Sequence, residues 1–219
     1  MHSTILNLIN IEKNIQSNLS DLKINNQTKI IAVSKTFNVD KILPLIHHGH
    51  VDFGENKVQE AVDKWTNLKG ENPSLRLHMI GRLQTNKVKY AVKLFDYIHS
   101  VDNEKLARTI TEEDKKINKK TKVFIQVNIG GEEQKSGVSK VNVHKLVSYC
   151  NEVKLDVIGL MCIPPFDKDS NTYFKEMSKL NKEFGFSELS MGMSSDYLQA
   201  SEHSATYLRI GSNIFGQRS

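Results

Sequence analysis

The constraint that dominates this chain is a rhythm. Short apolar runs of strand length alternate with longer stretches whose apolar residues recur every three to four positions. Strands are predicted at 29–34, 51–53, 75–80, 97–100, 122–128, 155–161, 188–191 and 206–210. Helices are predicted at 5–19, 39–48, 56–68, 84–94, 103–118, 141–153, 171–184 and 195–202. Breakers fall between them: Gly49, Gly70 with Pro73, Gly130 with Gly131, Pro164 with Pro165, and Gly185. Eight strands alternating with helices describe an α/β fold, a parallel (β/α)8 TIM barrel. A doubly wound Rossmann sheet shares the alternation, but no GxGxxG follows the first strand. The amphipathic segment 5–19 precedes the first strand and is the candidate for the eighth outer position. No linker or low-complexity tract interrupts the pattern, so residues 1–219 read as a single domain.

Composition removes several functions. The chain is 38% hydrophobic and 25% charged, with a mean hydropathy of −0.42. No run approaches the roughly 18 apolar residues that span a bilayer. The start, MHSTILNLINIEKNIQ, lacks the basic end, unbroken apolar run and cleavage site of a secretory signal. A cytoplasmic location with no membrane partner is expected. The net charge of +5 raises nucleic acid as a partner. The densest basic run, Lys115, Lys116, Lys119, Lys120 and Lys122, holds no aromatic residue for a base to stack on. It reads as a solvated helix end, and no nucleic-acid binding is expected. Cys150 and Cys162 form no CxxC and read as reduced thiols in or near the core.

In a barrel the chemistry collects at the C-terminal ends of the strands. Lys35 stands there directly after the apolar run IIAVS. Desolvation at such a place favours the neutral amine, the form that condenses with a carbonyl. A strand-end lysine can equally snorkel to solvent. The late loops shift that balance. GMSSD, at 192–196, offers a glycine, two hydroxyls and a helix start, and RIGS ends in Gly211 and Ser212. Barrel phosphate sites lie after the seventh and eighth strands, although each loop alone is also an ordinary cap or turn. A carbonyl-trapping lysine and two phosphate loops together point to a phosphorylated carbonyl ligand. Arg209, in an otherwise apolar strand, is expected to turn into the mouth. An arginine is one known partner of the pyridine nitrogen of pyridoxal phosphate. A guanidinium cannot accept a hydrogen bond, so it would leave that nitrogen unprotonated and weaken the electron sink.

Other residues compete for attention. His47, His48 and His50 form HHGH, a metal candidate, but fall at the far end of a barrel and are expected as a helix end. His78 is either a ligand contact in the barrel interior or a satisfied core histidine. Glu55 and Glu60 invite reading as an acid/base pair, with Glu60 expected to face outward. Glu132, Glu133 and Lys135 follow a Gly-Gly turn and are expected in a surface loop.

Several motifs then line up in order. They are AVSK ending at Lys35, FGENKVQE from Phe53, HMIGRLQTNK from His78, IQVN ending at Asn128 with EEQKSG downstream, GLMCIPP from Gly159, LSMGMSSD from Leu189 and LRIGSNIFG from Leu208. In order and spacing this resembles, almost end to end, the pyridoxal phosphate homeostasis proteins (the YggS/PROSC group). The resemblance implies an alanine-racemase-like barrel, the type III PLP fold, without the C-terminal β domain. It implies pyridoxal 5′-phosphate (PLP) as cofactor, held as a Schiff base on Lys35. Ser194, Ser195, Gly211 and Ser212 match the phosphate region, Arg209 the arginine near the ring nitrogen, and Asn56 the motif asparagine near the cofactor. His78 joins them as a candidate contact. The family implies PLP storage or delivery, in vitamin B6 and amino-acid balance, with PLP-dependent apo-enzymes as recipients and a monomer as the state.

One departure stands out. Ser204 occupies a position that the family fills with glycine before the eighth strand. Arg82 falls at a variable position and receives no role, and Lys57 is a candidate second lysine for PLP. Racemisation needs acid/base groups on both faces of a substrate carbon. Alanine racemases, by resemblance, draw one from a second domain, whereas only GSNIFGQRS follows Ile210 here. The expectation is a carrier without catalytic residues or metal. A PLP-dependent amino-acid racemase is the alternative, and a PLP-free Schiff-base aldolase the third.

Overall fold

A computed structural model describes residues 1–217. Its barrel strands are β1 (Lys29–Val33), β2 (Asp52–Glu55), β3 (Arg76–Met79), β4 (Tyr97–Val101), β5 (Lys122–Asn128), β6 (Val157–Cys162), β7 (Glu188–Ser190) and β8 (Tyr207–Ile210). All pair in parallel with their chain neighbours, and β8 returns to β1 with Lys29 opposite Tyr207. The expected barrel is therefore closed. An unexpected two-residue strand, Val138–Ser139, pairs with Val127 and Asn128. Two residues carry no periodicity, so nothing in the sequence marks it.

The helices are α1 (Ser3–Asp21), α2 (Val39–His47), α3 (Val58–Glu71), α4 (Val88–Leu94), α5 (Glu104–Lys116), α6 (Val143–Glu152), α7 (Ser170–Glu183), α8 (Tyr197–Glu202) and α9 (Ser212–Phe215). The expected helix at 84–94 divides into a 3-10 turn, Thr85–Lys87, and α4. α3 runs through Gly70, expected as its end, because one glycine costs only about 1 kcal/mol in a helix and Pro73 lies beyond. α1 buries Leu8, Ile11, Ile15 and Leu19 along one face and packs against α2, α8 and α9. It fills the eighth outer position, as its amphipathic pattern implied. Among the described residues no helix is long and apolar enough to cross a membrane.

Six helices stop in the same way. The residue two after each helix turns left-handed, and the next N–H bonds the carbonyl three residues inside the end. Ile24 bonds Leu19, His50 bonds Leu45, Lys119 bonds Asp114, Leu155 bonds Cys150, Phe186 bonds Asn181 and Ala205 bonds Ala200. The left-handed residues are Lys23, Gly49, Asn118, Lys154, Gly185 and Ser204. Ser204 therefore holds, at φ 68°, the conformation that glycine adopts freely.

Strand alternation sorts the core into two. Outward residues such as Ile30, Ala32, Phe53, Leu77, Ile98 and Leu208 meet the helices. Inward residues Ile31, Val33, Tyr97, Phe124, Met161 and Tyr207 fill the barrel. The same alternation carries Lys35, two after Val33, and Asn56, two after Gly54, to the mouth.

Candidate functional site

A cavity of about 920 Å³ opens at the C-terminal ends of the strands. Seven of the eight residues singled out in the sequence line it: Lys35, Asn56, Ser194, Ser195, Arg209, Gly211 and Ser212. The eighth, His78, does not. It is fully buried on β3, deeper in the barrel, and its ring is stacked on Tyr97 with centroids 4.4 Å apart. It is a core histidine, and its link to the cavity is indirect.

The loop that carries Lys35 is braced from behind. Thr36, next in the chain, is left-handed at φ 69°, an uncommon state for a β-branched residue. Its N–H donates to Glu60 Oε1 at 2.6 Å. Lys64 Nζ donates to the same Glu60 oxygen at 3.2 Å, to Glu55 Oε1 at 2.9 Å and to the Ser34 carbonyl at 3.0 Å. Glu55 Oε1 also accepts from Ser34 Oγ at 2.8 Å and Trp65 Nε1 at 2.9 Å. Burial raises the Glu60 carboxyl, but the Thr36 N–H and Lys64 outweigh it and hold the group below its ordinary value. Glu55 and Glu60 are thus no acid/base pair, and Glu60 does not simply face outward. Both belong to a structural cluster centred on Lys64, because β2 turns Glu55 toward α3 and away from the cavity.

Arg209 enters the cavity wall from β8. It is 5% exposed, and its NH1 donates to Ser190 Oγ at 2.7 Å and its NH2 to the Cys162 carbonyl at 2.8 Å. Behind Ser190 a file of polar side chains crosses the interior. His99 Nδ1 lies 2.9 Å from Ser190 Oγ, His99 Nε2 lies 3.0 Å from His78 Nδ1, and His78 Nε2 lies 3.0 Å from Asp52 Oδ1. Arg76 closes the far end, with Nε donating to Asp52 Oδ1 at 2.7 Å. Burial lowers both histidines, His99 well below its ordinary value, so both rings are neutral near pH 7. Burial works against the Asp52 carboxylate, but bonds from Arg76 and His78 overcome it and hold the group well below the usual carboxylate range.

The phosphate candidates come together. Ser194 and Ser195 lie in the loop after β7, and Gly211 precedes the first turn of α9, where Ser212 begins. Asn213 Nδ2 donates to the Ser194 carbonyl at 2.9 Å and ties the two loops together. The Asn56 side-chain oxygen is buried without a hydrogen-bond partner, in a residue that lines the cavity. Gly81 presses on Asn56: a Cβ there would fall 2.3 Å from the Asn56 carbonyl oxygen.

The sequence reasoning missed part of the wall. Arg82, given no role, lines the cavity, as do Gln126 and the loop residues Gln134, Lys135 and Ser136. The segment expected as a plain surface loop folds back over the mouth. Asn128 Nδ2 donates to the Glu132 carbonyl at 2.8 Å, the Glu132 N–H returns to Asn128 Oδ1 at 3.2 Å, and Lys135 Nζ donates to the Pro164 carbonyl at 3.3 Å. Gln126 shares the inward parity of Phe124 on β5, the signal that could have found it. Lys57 precedes α3 and does not line the cavity.

Three remaining expectations resolve elsewhere. Lys119 is not simply solvated: its Nζ donates to the Val92 and Phe95 carbonyls, both at 2.7 Å, at the end of α4. His47 ends α2, His48 follows it, and His50 Nε2 turns to the Asp52 carbonyl at 2.9 Å. Cys150 and Cys162 are free and buried, and burial pushes each thiol up to about 12.

The family description "Alanine racemase, N-terminal domain" matches residues 6–219. The pyridoxal phosphate homeostasis protein of Aquifex aeolicus is 40% identical over 203 residues, which cover 88% of each chain. Its human counterpart is 36% identical over 213 residues, 88% of this chain and 77% of that one. Among solved structures, PipY of Synechococcus elongatus with PLP bound superposes with a TM-score of 0.80 at 30% identity, covering 92% of this chain and all of that one. An alanine racemase of Clostridium difficile shares the fold, with a TM-score of 0.70 at 18% identity, over 94% of this chain and 57% of that one.

Proposed function

This chain belongs to the family of pyridoxal phosphate homeostasis proteins, and from that premise we propose that it binds PLP in the mouth cavity with Lys35 as the anchoring amine. The carrying observation is the convergence of Lys35, Arg209, Asn56 and the two hydroxyl-bearing loops on one cavity. When bound, PLP supplies an aldehyde that condenses with a neutral amine and a ring that withdraws electrons. The residues present fit such a group. The loops at Ser194 and Ser212 offer hydroxyls and helix-start N–H groups to a phosphate. Arg209 offers a fixed donor to a ring nitrogen, and the unpartnered oxygen of Asn56 takes a donor from the ligand.

The same wall supports holding over turnover. Among the described residues that line the cavity, the titratable side chains are Lys35, Arg82, Lys135 and Arg209; none is a carboxylate, histidine, tyrosine or cysteine. Inversion at a substrate carbon requires a second acid/base group, and this lining offers none of the carboxylate, histidine, tyrosine or cysteine type. Arg209 keeps the ring nitrogen without a proton and so weakens carbanion stabilisation. The role is storage or delivery of PLP inside the cell, as a monomer, to apo-enzymes that need it.

Reduction of the PLP-loaded protein with borohydride, followed by peptide mapping, tests this. A visible absorption band in the wild type and a phosphopyridoxyl adduct on Lys35 are expected, with both lost in Lys35→Ala. No band and no adduct after added PLP would overturn the reading and turn attention to sugar phosphates. Rapid exchange of the α-hydrogen of an amino acid with deuterium from solvent would instead favour the racemase.

A further inference from the structure

The file of side chains behind Arg209 has a property that its distances alone do not state. One end is a carboxylate, which can only accept a hydrogen bond, and the other is a guanidinium, which can only donate. Every proton between them then has one place. Asp52 requires a proton on His78 Nε2, so His78 Nδ1 is bare and must accept from a protonated His99 Nε2. His99 Nδ1 is then bare and accepts from the Ser190 hydroxyl, whose oxygen is left to accept from Arg209 NH1. Arg76 pins Asp52 from the opposite side. The three members between Asp52 and Arg209, namely His78, His99 and Ser190, are fully buried, so water does not offer them other partners.

We infer that Asp52, at the opposite end of the barrel from the cavity, is a positioning residue for the ligand's ring nitrogen, acting through the His78–His99–Ser190 file on the aim of Arg209. It touches no ligand. It fixes the hydroxyl of Ser190 with its lone pair toward Arg209, and that bond, with the one to the Cys162 carbonyl, leaves the guanidinium a single orientation. The inference rests on the PLP reading above and assigns a determinant to that same site.

Two measurements on the full chain test it. In protein labelled with 15N-histidine and free of PLP, long-range 1H–15N spectra read which ring nitrogen carries the proton. Both His78 and His99 are expected as the Nε2–H form; an Nδ1–H form of either overturns the file. The second measurement titrates PLP against its analogue with ring nitrogen replaced by C–H, followed by absorption. The wild type is expected to prefer PLP. Asp52→Ala is expected to cut that preference about fivefold, the size of one ordinary hydrogen bond, and Asp52→Asn, which keeps an acceptor oxygen, to cut it less. Ser190→Ala removes only the hydroxyl that meets Arg209 and is expected to match Asp52→Ala, so the test stands even if Asp52→Ala does not fold. An equal affinity for both ligands in the wild type, or a preference unchanged in Ser190→Ala, overturns the inference. Borohydride labelling of Lys35 in each variant separates this failure from a failure of PLP binding itself.

Discussion

Lys64 is a single side chain on which three segments depend. It is 9% exposed, it neutralises the fully buried Glu55, and through Glu60 it secures the strained Thr36 beside Lys35. Lys64→Ala would leave two carboxylates facing each other without a cation. The expected cost is about 3–5 kcal/mol, the range for breaking a buried pair by removing one partner, read as a lower urea midpoint. Ser204 makes the opposite prediction. Its left-handed φ of 68° costs a residue with a Cβ about 1–2 kcal/mol, partly offset by the entropy that glycine loses on folding. Ser204→Gly is expected to raise stability by about 0.5–1 kcal/mol in the same assay. The departure was visible in the sequence as a serine in a glycine's place; its strain was not, because φ is a property of the folded turn. Arg82 and His78 show the converse limit. Strand parity places His78 inside the barrel but not at which depth, so it was drawn into the site, whereas Arg82 lies in the loop after β3, where parity gives no direction, and was left out.

At the scale of elements, the barrel was readable because each strand and helix carries its own period, and eight repetitions reinforce one another. What escaped is what lacks a period: the pair Val138–Ser139, the short α9 and the loop between β5 and its return. That loop is held by the two-way clasp of Asn128 with Glu132, the reach of Lys135 to Pro164, the Lys135–Glu132 ion pair and the bond from Gln126 to the Ser136 carbonyl. Asn128→Ala is expected to speed trypsin cleavage after Lys135 about tenfold with little change in global unfolding, since losing the clasp raises local opening by roughly 1–2 kcal/mol. Equal cleavage rates in variant and wild type would show that other contacts hold the loop.

Across the whole molecule, the buried file and the neighbouring His50 make stability depend on pH. His50, His78 and His99 are lowered chiefly by burial, so the folded chain takes up their protons at lower pH than the unfolded chain, whose histidines charge near pH 6.5. The unfolded state then binds more protons, and stability falls as pH drops from 7 to 5. The slope is at most about 1.4 kcal/mol per pH unit for each histidine. Asp52 adds a second loss. Its carboxylate contributes stability above its unfolded value, near pH 3.9, and that contribution disappears as pH falls through its lower folded value. Urea midpoints measured between pH 7 and 5 check the first window; a flat profile would mean that the histidines are reached by water.

The pairing of β8 with β1 has a consequence for the birth of the protein. Of the eight barrel strands, β1, which leads into Lys35, leaves the ribosome first, and β8, which carries Arg209, leaves it last. Until that strand inserts, the nascent sheet has two open edges and its lysine stands on a surface with no enclosure. The mouth cavity proposed for PLP therefore gains its wall at Arg209, Gly211 and Ser212 only when β8 has paired with β1.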